Sequence, residues 1–248
     1  MRFAIFGTVL LAAASASPAD AQNTPTASAA ARTVVASAKL PELDAAPVYF
    51  CALDVILPIG AASHIAAPPN GILYQLEGST EIAAGGETKT LAPGEGYFLA
   101  GGRDAVLKAS GDGPSHTLHF LLMPAAALDQ PVETESAALT ELYRTTAPIP
   151  DLKPGAYDIN LTRVTFPPQM PTNPPHHRSG AALYYILSGT GANTVAGMTT
   201  VRGPGALIYE PSSLVHQWGN PGTRPWTFLA FNINPEGVPA VVMETAPK

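Results

Sequence analysis

Apolar positions come in short runs bounded by Gly and Pro. In the first half of the chain the runs are Val48 to Leu57, Gly71 to Leu76, Gly96 to Leu99, Val106 to Leu107 and Leu118 to Met123. In the second half they are Tyr157 to Phe166, Leu183 to Leu187, Ala206 to Tyr209 and Trp226 to Ile233. These runs are too short, and too rich in aromatic and branched residues, for helices, so each predicts a strand. One stretch departs from the pattern. Glu133 to Thr146 places Leu139, Leu142 and Tyr143 at helical spacing, with acidic residues leading and Arg144 near the end, and predicts a short amphipathic helix. Pro148, Pro150 and Pro154 then predict an extended linker.

The runs repeat. Leu73-Tyr74-Gln75-Leu76-Glu77-Gly78 is answered 111 positions later by Tyr184-Tyr185-Ile186-Leu187-Ser188-Gly189. At the same offset Pro93-Gly94-Glu95-Gly96-Tyr97-Phe98 is answered by Pro204-Gly205-Ala206-Leu207-Ile208-Tyr209. One small strand-rich domain, duplicated, accounts for both matches.

Composition narrows the classes. Only 13% of residues are charged, whereas Gly and Pro number 22 and 26, a balance suited to short strands and many turns. The formal charge is −6 with no basic run, which excludes nucleic acid as a partner because phosphate backbones demand clustered Lys and Arg. Met1-Arg2, the apolar Phe3 to Ala16 and Ala19-Asp20-Ala21 read as a secretory signal peptide over 1–21, cleaved before Gln22. That implies a periplasmic or secreted protein without a permanent membrane anchor. Residues 22–40, rich in Ala, Ser and Thr without a sustained period, predict a flexible leader. Cys51 is the sole cysteine, so no intrachain disulfide or cysteine-based metal site can form.

Candidate chemistry gathers between Pro174 and Asn220. His176, His177 and Arg178 precede one apolar run, and His216 follows another. If the two runs are antiparallel neighbours, these imidazoles meet at one end of a sheet. Gly205, Pro211, His216 and Asn220 stand at the spacing of the second motif of the cupin family, and Gly189 closes its first motif. The stretch therefore resembles a cupin. The resemblance implies two jelly-roll (double-stranded β-helix) barrels and a divalent transition metal held by three histidines and a glutamate. Two of those ligand positions differ here. Ala182 stands at the glutamate position, and Arg178 stands where a second histidine belongs if His176 is the first. His176, His177 and His216 remain as metal candidates, and Glu210 is another carboxylate nearby, its facing open; with metal bound, the resemblance implies an oxygenase, isomerase or lyase using His176 and His216.

A second reading needs no metal. Strand alternation gives Tyr184 the face of Ala182, and Trp218 can share that of His216. Arg178, Tyr184, His216 and Trp218 then suit a small anionic or polyhydroxylated ligand, Arg gripping a carboxylate and the aromatic faces covering apolar parts. A third class, barrels that serve assembly as a homo-oligomer, stays open. The first repeat is poorer: Ala105 and Ala100 replace the equivalents of His216 and Pro211, and Gly71 holds the glutamate position. Its His64, His116 and His119 form no evident set.

The expectation is an all-β chain of two tandem barrels. A degenerate barrel spans 41–126, a linker with a short helix 127–155, a barrel with the site 156–240, and a tail 241–248.

Overall fold

The structure is a computed structural model that describes residues 29–43, 46–130 and 136–244. The proposed signal peptide lies outside them. Strand β1 (Ala31–Leu43) is followed by β2 (Val48–Leu57), β3 (Ala62–Ile65), β4 (Gly71–Glu77), β5 (Thr80–Ala84) and β6 (Glu87–Leu91). Then come β7 (Gly96–Leu99), β8 (Ala105–Ala109), β9 (Ser115–Pro124) and β10 (Ala138–Arg144). The second half holds β11 (Gly155–Phe166), β12 (His176–Arg178), β13 (Ala181–Ser188), β14 (Gly191–Val195) and β15 (Met198–Arg202). It ends with β16 (Leu207–Glu210), β17 (His216–Gly219), β18 (Trp226–Pro235) and β19 (Val241–Met243).

The chain is all-β, as two tandem jelly-roll barrels. The first barrel closes a sheet ordered β10-β2-β9-β4-β7 on one ordered β3-β8-β5-β6. The second closes β1-β11-β18-β13-β16 on β15-β14-β17-β12-β19. Gly78 and Gly189, the matched ends of the repeat, both turn with positive φ, at 69° and 73°. An added Cβ at either would run into backbone, which ties the turn to glycine.

The two large sheets are built alike, but each borrows its edge strand. β1 pairs with β11 of the second barrel, from Ala31 opposite Thr165 to Leu43 opposite Gly155. β10 pairs with β2 of the first, from Ala138 opposite Ile56 to Arg144 opposite Cys51. The strand that precedes each barrel in sequence thus completes the other barrel. This exchange corrects two expectations. Residues 31–40 are not a flexible leader but a paired strand, and β10 takes the place of the predicted helix over 138–144; residues 22–28 and 133–135 of those two predictions lie outside the described residues. The only helical turn among the described residues is a short 3-10 segment at Ala125–Ala127. The tail is corrected too, since β19 pairs with β12. Local propensity lost in each case to the ladder hydrogen bonds of a sheet edge.

The largest core lies between the barrels. Phe50 and Phe120 pack on Phe231 with ring centroids 5.3 and 5.6 Å apart, and Phe50 meets Tyr209 edge-on at 6.0 Å. Leu118, Leu122, Leu161, Leu183 and Leu229 fill the same layer. Strand alternation then sends the other face of each sheet into its own barrel: Leu73 and Leu99 inside the first, Tyr184 and Phe228 inside the second. No helix among the described residues is long and apolar enough to cross a membrane.

Candidate functional site

The second barrel encloses a cavity of about 870 Å³. Val164, Phe166, Tyr184, Trp218, Phe228 and Ala230 give it apolar walls, and Asn160, Thr162, Asn173 and Asn232 are polar residues of the same lining. Its mouth is framed by β1 and by the segment that carries β19. On one side β1 presents Arg32, Val34, Ser37 and Lys39. A bulge between Val34 and Ala36 shifts the alternation by one residue, which is why even and odd positions of one strand reach the same cavity. On the other side stand Pro239, Ala240, Val241 and Met243, the strap that carries β19. Lys39 and Glu236 form an ion pair between the two sides.

His176 and His216 are register partners across β12 and β17, and their rings meet edge to face at 4.4 Å. Each ring is fixed by its own loop: Nδ1 of His176 lies 2.9 Å from the Pro174 carbonyl, and Nδ1 of His216 lies 2.8 Å from the Leu214 carbonyl. A carbonyl can only accept, so both Nδ1 atoms carry a proton. Burial holds the His176 imidazole below its usual pKa, against the opposing Pro174 bond. His176 faces the cavity, whereas His216 is buried behind it.

Glu210 is the centre of the set. It is buried and directly opposite Ala182 in the β13–β16 ladder, so its carboxylate enters from the strand beside the one that carries Ala182. Arg178 donates Nε–H to its Oε2 at 3.0 Å, and Trp218 donates Nε1–H to its Oε1 at 2.6 Å. His216 Nε2 is 3.1 Å from the same Oε1. Burial alone would raise the Glu210 carboxyl, but His216, Arg178 and Trp218 together hold it below the usual carboxylate range. Arg178 also lies over the Tyr184 ring, 5.2 Å from its centroid. Among the described residues its Nη nitrogens have no hydrogen-bond partner.

The sequence-derived set divides. His176, Arg178, Tyr184 and Trp218 line one cavity, and His216 stands next to it. His177 points away, its Nδ1 2.6 Å from Glu244 Oε1 on the strap. Glu210 was visible in the sequence only as a carboxylate of unknown facing; strand pairing decides that it turns inward. In the first barrel His64 approaches Asp104 and His116 pairs with Asp54, both partly exposed. His119 is buried inside with neither ring nitrogen partnered, beside Gly71.

Residues 162–232 match the family model described as the cupin domain. Over those residues the second barrel is similar to a cupin domain. Between 77% and 79% of the chain shares its fold with the following solved structures. A variant of salicylate 1,2-dioxygenase from Pseudoaminobacter salicylatoxidans superposes with a TM-score of 0.51 at 12% identity, covering 78% of this chain and 77% of that one. AerE from Microcystis aeruginosa gives 0.53 at 14%, covering 77% and 95%. Oxalate decarboxylase from Bacillus subtilis gives 0.55 at 15%, covering 79% and 70%. No curated protein matches in sequence.

A cupin metal would need His176, His216 and Glu210 here, and those residues do not fit it. Both Glu210 oxygens already accept hydrogen bonds, and one of the donors is a permanent guanidinium that would repel a cation. Among the described residues no group of three or more His, Cys, Asp or Glu is placed to hold a metal ion. The cation beside the carboxylate is Arg178 itself.

Proposed function

We propose that the second barrel binds a small anionic molecule without a metal, in a protein exported and cleaved before Gln22. The observation that carries this reading is Arg178: nearly buried, held by Glu210 through Nε alone, with its Nη edge unpaired beside an 870 Å³ cavity. A guanidinium edge is a bidentate carboxylate or phosphate site. The charged residues that line the cavity agree, since Arg32, Lys39 and Arg178 are basic and only Asp158 is acidic. Glu210 and Glu236, the partners of Arg178 and Lys39, lie outside the lining.

The test is metal analysis of the mature protein beside isothermal titration with benzoate and inorganic phosphate, before and after chelation. The expected result is no stoichiometric transition metal, and anion binding that survives chelation and falls at least tenfold on Arg178→Met. Stoichiometric metal lost on His216→Ala overturns the reading in favour of a metal-dependent enzyme. For export, N-terminal sequencing of secreted or periplasmic protein should begin at Gln22; an intact Met1 there refutes the cleavage site.

A further inference from the structure

The cavity holds a second polar position that the anion reading leaves unused. Asn232 lines it from β18 and is 5% exposed. Its Nδ2 donates to Asn160 Oδ1 at 2.9 Å and to the Ala230 carbonyl at 2.9 Å. Both partners are acceptors, so the amide can face only one way, and Thr162 Oγ1 donates to the same Asn160 oxygen at 3.0 Å. Asn232 Oδ1 is thereby left buried with no partner among the described residues. An unsatisfied buried acceptor is costly, and here it calls for a donor from outside the chain.

Its place relative to Arg178 is set by register. Ala182 has two partners, Glu210 on β16 and Asn232 on β18. Directly opposed residues share a face, so Glu210 and Asn232 belong to one layer, with Cα positions two strand spacings, about 10 Å, apart. Arg178, bonded to Glu210, stands at one end of that layer and the Asn232 acceptor at the other. The ring faces of Tyr184, Trp218 and Phe228, with Ala230, line the same cavity and offer flat apolar contact, the Trp218 N–H being engaged by Glu210.

We infer that the ligand is a hydroxy acid with an apolar body. Its carboxylate meets the Nη edge of Arg178, its hydroxyl donates to Asn232 Oδ1, and its body lies against the aromatic walls. This inference rests on the anion-pocket reading and adds a donor subsite to it.

Isothermal titration of the mature chain with four probes separates the two. Para-hydroxybenzoate carries both groups, para-methoxybenzoate has the same body but cannot donate, benzoate lacks the second group, and inorganic phosphate lacks the body. The expected order places para-hydroxybenzoate at least tenfold tighter than the methoxy compound and benzoate, with Asn232→Leu abolishing the difference. Benzoate bound as tightly as para-hydroxybenzoate, or a preference that survives Asn232→Leu, overturns the donor subsite while the anion pocket stands. Failure of all four probes to bind overturns both. The wild-type ranking decides even if Asn232→Leu does not fold.

Discussion

Glu210 stands directly across the sheet from Ala182. The carboxylate missing at position 182 is thus replaced by one on the neighbouring strand, and Arg178 bonds to it. A buried carboxylate needs a cation or several donors; here it has Arg178 and the Trp218 N–H. Removing one partner of such a pair costs about 3–5 kcal/mol, because the other charge stays buried and unpaired. Arg178→Met should therefore lower unfolding stability strongly in urea titrations. Adding Glu210→Gln, which keeps an acceptor for Trp218, should recover much of the loss. A double variant no more stable than Arg178→Met would contradict this.

The same pair blocks metal, so Arg178→His should admit it. With the guanidinium gone, position 178 adds an imidazole to His176, His216 and Glu210. After dialysis against zinc or manganese and removal of free ion, the variant should retain about one metal per chain by elemental analysis, a three- or four-donor site being sufficient. The unaltered protein should retain none. Equal retention by both would show that Arg178 does not exclude metal.

His119 predicts acid sensitivity in the first barrel. Burial lowers its imidazole to about 3, so the folded barrel keeps it neutral while the unfolded chain takes up a proton near the ordinary 6.5. Its stabilising contribution is complete above pH about 6.5 and is lost as pH falls toward 3. By pH 4.5 the loss from this residue is about 2–3 kcal/mol. His119→Leu should flatten that part of the curve, measured as the difference between variant and wild type in denaturant titrations. His176 and Glu210, also held low, remain in both proteins and cancel.

Strand exchange makes β1 structural. Deleting residues through 43 removes β1, uncovers the inter-barrel core where Leu40 and Leu43 are buried, and takes away one wall of the cavity. The shortened chain should melt lower and lose the anion affinity of the second barrel. A truncation that ends at Gln22 should do neither.

The strap gives a milder case. Ending the chain at Gly237 removes β19 and the Glu244 contact to His177. Amide exchange at His176 to Arg178 should rise, because one side of β12 loses its ladder, while exchange at β11 and β18 stays slow. Uniform acceleration across the barrel would mean that the strap supports the fold and not the mouth alone.

How much of this was written in the residues can be judged from particular elements. The runs at Gly71 and Trp226, the repeat at an offset of 111 and the motif from Gly205 to Asn220 fixed two barrels and the end of the sheet where imidazoles meet, because alternation and turn chemistry are local properties. They also set Tyr184 on the face of Ala182. What local pattern could not carry was pairing between distant segments. β1 is Ala-rich and β10 has helical spacing, yet each is a strand because another barrel offers it an open edge. Glu210 read as a carboxylate of unknown facing until register placed it opposite Ala182. The ion pair with Arg178 and the bracket formed by β1 and β19 depend on residues brought together only by the closed barrels. Tertiary structure alone decided them.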